Sequence, residues 1–241
     1  MSESAEQLQA YFDLAVACAR DAGAVIRAAI NRPKQLTEKS NTTDLVTETD
    51  QKCEEIVIAR IRAAFPTHHF IAEESYSAGN AVGYDLRDDP TWLIDPVDGT
   101  TNFVHGFPFT CVSIGLQIKR ESVLAVVYNP VLDELFTAQR GHGAFLSVGG
   151  GAPQRLAVSS TRELQRAMVL TEFGYDRTPT GVAEMLQKIE RLLVARVQAV
   201  RSMGSCALNM CYVAAGRLDF YYEGVSFLHS NVDFQECTCI F

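Results

Sequence analysis

The chain is short of basic residues and of long apolar runs. It carries 21 lysines and arginines against 29 aspartates and glutamates, which gives a formal net charge of −8 and an isoelectric point near 5.1. A surface of this sign disfavours nucleic acid and anionic membranes as electrostatic partners. No apolar run approaches the roughly 20 residues that a membrane-spanning helix needs. We therefore expect neither nucleic acid nor a membrane among the partners of this protein.

The sequence also lacks a cysteine framework, a histidine cluster and a serine elbow. Its seven cysteines have no framework spacing, their number is odd, and no secretory signal peptide is evident, so we expect a reducing, cytoplasmic setting. The five histidines are scattered, and each is expected to pack or to lie at the surface rather than act as a general base. No Gly-x-Ser-x-Gly motif supports a Ser-His-Asp hydrolase. These absences direct attention to the carboxylates.

Two carboxylates flank a proline in the most informative segment, Trp92 to His105. Asp95-Pro-Val-Asp98 is followed at once by Gly99 and two threonines. Because Pro96 restricts the residue before it to an extended conformation, we expect Asp95 to end a strand. The glycine permits a close backbone approach to a ligand, and the threonines can begin a helix whose free N–H groups attract an anion. Ligands for a hard cation beside donors for a phosphate indicate metal-assisted phosphate chemistry.

The alternative is that this segment is only a turn, since Asp-Pro and Asp-Gly dipeptides commonly mark turns. An EF-hand is excluded, because Val97 stands where that motif needs Asp or Asn and no glutamate closes the loop. A second acidic cluster, Glu73-Glu74, follows the apolar run 70–72 and favours the functional interpretation, because like charges at a strand end are costly without a cation or solvent. Asp50 precedes a helical pattern over residues 53–64, and it could cap that helix, orient a water, or do both.

In their order, these segments resemble the inositol monophosphatase family, most closely its eukaryotic inositol-1-phosphate phosphatases. The resemblance extends from the first helix to about residue 224. The motif from Asp95 to Val104, taken together with Glu73, is highly specific. The segments that carry the resemblance are Asp44–Asp50, Ile71–Ser75, Trp92–His105, Pro108–Gly115, Gly141–Phe145, Arg201–Ala207 and Asp219–Glu223.

The resemblance implies a two-metal site. Glu73, Asp95 and the backbone carbonyl of Val97 would hold one Mg²⁺, and Asp95 would bridge to a second Mg²⁺ that Asp98 also binds. Carboxylate oxygens suit this hard cation. Zinc would need His or Cys ligands, and none falls near these motifs. Two metals about 3.5–4 Å apart can stabilise both the entering and the leaving oxygen of a phosphate monoester.

The resemblance also implies the substrate contacts. Thr100, hydrogen-bonded to Asp50, would help Glu73 to position and activate the attacking water, and backbone N–H groups around Gly99 and Thr100 would hold the phosphate. Lys39 matches a family lysine near the metal cluster, although an exposed loop lysine is the alternative. The substrate-binding residues are then Glu73, Val97, Asp98, Gly99, Thr100, Gly204, Ser205, Cys206 and Glu223, the last four in the stretch that family members use to contact the inositol ring.

The pattern of elements and the resemblance together predict one domain of alternating helices and strands. The expected helices are 5–30, 182–193 and 205–215, and the expected strands are 111–117, 123–128, 134–139 and 218–222. The apolar face of 182–193 is expected to be core rather than a binding surface. As the resemblance implies, the fold class is α/β (α+β), a layered α-β-α-β-α sandwich of the inositol monophosphatase and sugar phosphatase type with an incomplete C-terminal part.

The sequence departs from the family after Glu223. We therefore expect an inositol monophosphatase-like domain over residues 1–224 and a divergent tail over 225–241, the product of truncation or alternative splicing. The family's Trp-Asp pair, whose aspartate completes the second metal site, would fall near Ser230, and Asp233 has the wrong neighbours to replace it. We expect a nearly normal first Mg²⁺ site, a weak second site and slow turnover.

The function that the resemblance implies is Mg²⁺-dependent hydrolysis of inositol monophosphate to myo-inositol and phosphate, in inositol biosynthesis and phosphatidylinositol signalling. A homodimer inhibited by Li⁺ is expected on the same ground. Two alternatives stay open. One is a related phosphatase for nucleotide or sugar phosphates, against which the segment 219–223 argues. The other is a catalytically weak subunit that acts by dimerisation, for which the altered tail argues.

Overall fold

The computed structural model describes residues 3–33, 36–38, 45–77 and 88–223. Within these residues the helices are α1 (Ala5–Ala29), α2 (Glu48–Ala64), α3 (Glu73–Ser77), α4 (Thr100–His105), α5 (Pro179–Val194) and α6 (Cys206–Ala214). The strands are β1 (Leu36–Glu38), β2 (Leu45–Thr47), β3 (His69–Ala72), β4 (Thr91–Asp98), β5 (Cys111–Ile118), β6 (Glu121–Asn129), β7 (Glu134–Gln139), β8 (Gly143–Val148), β9 (Gln154–Arg155), β10 (Met168–Thr171), β11 (Ala199–Arg201) and β12 (Phe220–Tyr222). Lys39 and the predicted tail 225–241 lie outside the described residues. None of the described helices combines the length and the apolar character needed to cross a bilayer.

Strands β3 to β9 form the larger sheet and lie in chain order. Strands β3 and β4 are parallel, and every later neighbour is antiparallel. Residues 99–110, which include α4, join β4 to β5, and short turns join the strands from β5 to β9. Lys119 and Arg120, which join β5 to β6, have φ values of 55° and 62°, as a tight two-residue hairpin of type I′ requires. The strands predicted at 111–117, 123–128 and 134–139 are confirmed as β5, β6 and β7.

Helices α1 and α2 pack together on one face of this sheet. The alternation along β6 separates the two faces: Val126 and Tyr128 join the core under α1 and α2, whereas Val127 packs with α6 on the other side. The helices contribute buried side chains at helical spacing, Ala15, Cys18, Ala19, Ala22 and Ile26 from α1 and Cys53, Val57 and Ile61 from α2. The predicted N-terminal helix is confirmed, and a capping box between Ser4 and Gln7 fixes its start.

Three parallel strands form a second sheet in the order β11-β10-β12. Helix α5 joins β10 to β11, and α6 joins β11 to β12 in the opposite direction across the sheet. Because such crossovers are right-handed, the two helices lie on opposite faces. Helix α6 contacts β5, β6 and β12 and therefore lies between the two sheets. The described residues thus form the predicted α-β-α-β-α layers: α1 with α2, the seven-stranded sheet, α6, the three-stranded sheet and α5.

The expectation that the apolar face of 182–193 is core is wrong. The helix forms, as α5, but none of its side chains is buried, and Leu186 and Leu193 are each 63% exposed. Periodicity identifies the apolar face of a helix and does not show what covers that face. The helix predicted at 205–215 is confirmed as α6, which ends with Gly216 at φ 66° beyond the cap residue Ala215. The strand predicted at 218–222 forms only over its last three residues.

Candidate active site

Strand β4 carries the two aspartates of the Asp-Pro-x-Asp motif on either side of a β-bulge. Asp95 pairs with Ser113 and Asp98 pairs with Cys111, so β4 uses one residue more than β5 over this interval. A proline is tolerated at such an irregularity, where the regular ladder is interrupted, and the Val97 N–H donates to Asp95 Oδ1 at 3.1 Å. The prediction that Asp95 ends the strand is wrong. The strand continues through Asp98, and the bulge sets the directions of the two carboxylates.

Gly99 turns the chain from β4 into α4. Its φ of 84° lies in the left-handed region, and a Cβ at this position would lie 2.9 Å from the Gly204 carbonyl oxygen. Glycine is therefore required by the turn and by the close approach of the segment before α6. Gly99 has no side chain that could accept from the first N–H groups of α4, and N–H groups at the start of a helix can bind an anion. The prediction that the threonines begin a helix is confirmed.

Thr100 connects α4 to a buried aspartate of α2. Its hydroxyl oxygen lies 3.2 Å from Asp50 Oδ1 and 3.0 Å from the Val97 carbonyl oxygen, and its one proton serves either acceptor. Asp50 Oδ2 accepts from the Thr47 N–H at 3.1 Å and from the Thr47 hydroxyl. Asp50 is thus at position N3 of a capping box whose N-cap is Thr47, and it is not the N-cap that the sequence suggested. The pKa of Asp50 is raised to about 6, chiefly by burial and also by the charge of Glu73, against the hydrogen bonds from Thr47.

Asp98 is enclosed by donors from the beginning of α6 and from β5. Its Oδ2 accepts hydrogen bonds from the Ser205 hydroxyl, from the Ala207 N–H at 2.8 Å and from the Cys111 thiol at 3.6 Å. Burial raises the pKa of Asp98, and the charge of Glu73 adds to this, although the three hydrogen bonds oppose it. The protein therefore fixes one oxygen of this carboxylate. The other accepts no hydrogen bond from the described residues and can face a ligand.

Glu73 is the first residue of α3, and a second glutamate holds this short helix in place. Glu54 Oε2 accepts from the Glu74 N–H at 2.7 Å, and Oε1 accepts from the Ser75 N–H at 2.9 Å and from the Ser75 hydroxyl. Glu54 lies four residues after Asp50 on α2, so one face of this helix supports two site carboxylates. The role of Glu54 was not predicted from the sequence. The available signal was a glutamate next to Cys53 on the apolar face of the predicted helix.

The residues predicted to contact the inositol ring come from the region of the three-stranded sheet. Gly204 and Ser205 precede α6, Cys206 begins it, and Glu223 follows β12. Tyr221, which the sequence analysis did not single out, is hydrogen-bonded through its hydroxyl to Glu223 and to Cys206. Ser205 differs from its neighbours, because its side chain is only 1% exposed, caps α6 and donates to the second aspartate of β4. A ring contact by Ser205 would therefore come from its backbone.

Comparison with known proteins assigns a family to this arrangement. A model of the inositol monophosphatase family matches residues 7–229. The chain belongs to the inositol monophosphatase family. Within that family, the curated inositol monophosphatase 2 of Solanum lycopersicum is 46% identical over 216 residues, which are 90% of this chain and 78% of that protein.

Solved structures agree with this assignment. An inositol monophosphatase from Anabaena superposes with a TM-score of 0.74 at 33% identity, over 97% of this chain and 81% of that chain. A structure described as IMPase/NADP phosphatase complexed with Mg²⁺ and phosphate has the same fold, with a TM-score of 0.73 at 22% identity over 90% of this chain and 76% of that chain. The family and the mixed α/β fold predicted from the motifs are therefore confirmed.

A hard divalent cation suits the acidic side chains of this inositol monophosphatase site. In the described part of the chain, no Lys, Arg or His forms an ion pair with Asp50 or Asp98, and an isolated buried negative charge is costly. No three His, Cys, Asp or Glu side chains among the described residues form a complete metal-binding group by themselves. Mg²⁺ does not require such a group, because it keeps several waters and is commonly bound through one or two carboxylates. The donor set therefore fits Mg²⁺.

Proposed function

We propose that this protein hydrolyses inositol monophosphate to myo-inositol and phosphate with Mg²⁺. The observation that carries the proposal is the contact between Gly99 and Gly204, which brings two different segments together. The β4–α4 segment offers carboxylates, a hydroxyl and the N–H groups at the start of a helix, all suited to a phosphate and its attacking water. The segment 204–206 adjoins it and suits the alcohol part of an ester. Membership of the inositol monophosphatase family supports inositol as that alcohol.

The predicted metal ligands supply the electrostatic part of the chemistry. A bound cation offsets the negative charge of the phosphate and of the developing alkoxide. Asp98 is prepared for this role, since the Ser205 hydroxyl and the Ala207 N–H fix one of its oxygens. The side chains and backbone group that would hold Mg²⁺ are Glu73, Asp95, the Val97 carbonyl and Asp98.

Thr100 and Asp50 orient the attacking water. When the Thr100 hydroxyl donates to Asp50, its oxygen is left as an acceptor for a water proton, and the water can donate its other proton to Glu73. Asp50 must be ionised to accept from Thr100 in this way. Because Asp50 is buried and its pKa is raised to about 6, this arrangement is favoured above that pH. The N–H groups at the beginning of α4 hold the phosphate oxygens during the same step.

A homodimer, a cytoplasmic location and inhibition by Li⁺ complete the proposal. The family resemblance of the motifs supports the homodimer and the effect of Li⁺, which would replace Mg²⁺ at the weaker second site. The odd number of cysteines without framework spacing supports the cytoplasmic location. Sedimentation of the purified protein tests the homodimer. Turnover measured over a range of Li⁺ concentrations tests the inhibition. A monomeric protein, or turnover indifferent to Li⁺, contradicts the corresponding part of the proposal.

The decisive experiment measures phosphate release from a panel of esters with Mg²⁺ and with a chelator. The panel contains inositol 1-phosphate, a hexose phosphate, a nucleoside monophosphate and NADP. We expect fastest release from inositol 1-phosphate, and release only with Mg²⁺. Preferred hydrolysis of a nucleotide would assign a sibling phosphatase activity, and no release from any ester would favour a catalytically weak subunit. Asp95→Asn serves as the inactive control.

A further inference from the structure

Glu172 follows β10 directly, accepts four hydrogen bonds and is not itself one of the predicted site residues. Its Oε1 accepts from the Met203 N–H at 2.9 Å, from the Gly204 N–H at 2.9 Å and from Asn209 Nδ2 at 2.7 Å. Its Oε2 accepts from the Ser202 hydroxyl at 2.7 Å. Within the described residues no Lys, Arg or His pairs with it. All four bonds therefore go to one loop and the helix that follows it.

Two successive backbone N–H groups that converge on one oxygen form an anion-binding nest. Here the anion is a side chain of the same protein, and hydrogen bonds to an ionised carboxylate are about twice as strong as neutral ones. Asn209 is oriented by this network at a cost. Its Nδ2 donates to Glu172, whereas its Oδ1 is buried with no hydrogen-bond partner in the described part of the chain. An unsatisfied buried acceptor calls for an explanation, and the bond to Glu172 provides one.

The other side of the same loop touches the phosphate end of the site. Asn102 Nδ2 donates to the Met203 carbonyl at 2.7 Å and to the Phe109 carbonyl at 2.7 Å, so a side chain of α4 fixes the loop. A Cβ on Gly204, whose φ is 79°, would lie 2.9 Å from Asn102 Nδ2, so no larger residue fits between them. The loop 202–204 is thus held between Glu172 and Asn102. The residues after it continue into the bonds of Ser205 and Ala207 to Asp98.

We propose that Glu172 is a positioning residue that fixes segment 204–206 against α4 and so determines how the alcohol part of the substrate is held. The inference rests on the proposed function, because that function places the inositol ring against this segment. Glu172 itself contacts neither the phosphate nor the reacting water. Its removal should therefore weaken and misalign binding of a ring-sized alcohol, and should change the hydrolysis of a small ester much less.

The test compares three variants of the full chain. Glu172→Ala removes all four bonds. Glu172→Gln keeps one oxygen for the two N–H groups and loses the charge. Glu184→Ala is the matched control, because it removes an exposed glutamate of α5 that has no role in the site. Each variant is characterised by amide hydrogen exchange, by circular dichroism, and by KM and kcat for inositol 1-phosphate and for a small ester, glycerol 2-phosphate.

We expect faster exchange at Met203 and Gly204 in Glu172→Ala, with exchange in β4 to β7 unchanged. KM for inositol 1-phosphate should rise about tenfold or more, KM for the small ester should change less than about threefold, and Glu172→Gln should lie between wild type and Ala. Unchanged exchange at Met203 and Gly204 overturns the proposal, and so does an equal loss with both esters. If Glu172→Ala does not fold, the same comparison is made with Glu172→Gln.

The exchange measurement separates this inference from the proposed function. If the wild type releases phosphate from no ester, the proposed function fails, and exchange at Met203 and Gly204 still decides whether Glu172 fixes the segment 204–206. If the wild type is active and Glu172→Ala behaves like Glu184→Ala in exchange and in kinetics, the proposed function stands and the positioning role is overturned.

Discussion

The seven-stranded and the three-stranded sheet differ in how completely helices cover them. In the seven-stranded sheet, the first seven residues of β5 are all buried, because α1 and α2 cover one face and α6 packs on the other. Beside the three-stranded sheet, α5 has no buried side chain, and Val194 is 75% exposed. The candidate active site lies where the two regions meet, and it takes different residues from each.

Under the proposed function, this difference separates the residues for the chemistry from those for recognition of the alcohol. Asp50, Asp95 and Asp98 belong to the well-covered region, where packing holds a side chain in one position and reduces the reorganisation needed during reaction. Glu223 follows β12 of the three-stranded sheet, beside which α5 has no buried side chain, and a region with few buried side chains opens locally at lower cost. We therefore expect changes in the first region to lower kcat and stability, and changes in the second to raise KM.

The largest effect is expected for Asp95→Asn. The side chain keeps its size but loses the charge on which both predicted metals depend. Changes to residues that merely support a metal ligand typically cost 10–100-fold, so loss of the ligand itself should lower turnover by more than about 100-fold. Phosphate release at saturating Mg²⁺ measures this, and circular dichroism verifies that the fold is intact. Turnover close to that of the wild type would show that the metal site has been placed wrongly.

Thr100→Ala should have the next largest effect. The variant loses the hydroxyl that bonds Asp50, and with it an acceptor for the attacking water, while the backbone N–H groups of α4 stay in place. A positioned group that acts in proton transfer contributes roughly 10²-fold or more to rate, so kcat should fall by about that factor and KM should change little. Steady-state kinetics with inositol 1-phosphate provide both values. A raised KM with an unchanged kcat would make Thr100 a phosphate-binding residue only.

Stability offers a direct test of the two-region comparison with one chemical change made in both places. Ile114→Val removes a methylene group from a fully buried position of β5 and should lower the free energy of unfolding by about 1 kcal/mol. Ile189→Val makes the same change on α5, where the side chain is partly exposed, and should cost less than about 0.5 kcal/mol. Urea denaturation gives both values if the m-value is constant. Equal losses would show that something covers α5 in solution.

The parts of the site that depend on residues close together in the sequence could be predicted. Gly99 and the helix start at Thr100 follow from residues within one short motif, as does the pairing of carboxylates around Pro96. The bulge at Asp95 escaped prediction because it depends on the register with β5. Glu54 and Glu172 escaped for a similar reason, since their partners lie 20 to 37 residues away along the chain. Only the folded structure shows which carboxylate accepts a hydrogen bond from an N–H group that is distant in the sequence.

The smallest effect concerns pH and a histidine in the well-covered region. Trp92 Nε1 donates to His68 Nδ1 at 3.0 Å, and the imidazole stacks on Phe65 with ring centroids 4.9 Å apart. A protonated imidazole carries a proton on both nitrogens and offers no acceptor to the indole. Burial lowers the pKa of His68 from its ordinary value of 6.5, and the neighbouring His69 acts in the same direction, against the charge of Glu3.

The sign of the pH dependence follows from that lowered pKa. The unfolded chain binds a proton at His68 near pH 6.5, whereas the folded protein binds it only at a lower pH. The contribution of His68 to stability is therefore constant above about pH 6.5 and declines as the pH falls towards the folded pKa. The raised pKa values of Asp50 and Asp98 act in the opposite direction on the pH dependence, so the effect of His68 is isolated by comparing the wild type with His68→Gln, whose amide oxygen can still accept from Trp92. When the pH is lowered from about 7.5 to about 5.5, the free energy of unfolding of the wild type should fall relative to that of the variant. If acidification changes the stability of both proteins equally, His68 contributes nothing to the pH dependence, and the Trp92–His68 pair only packs.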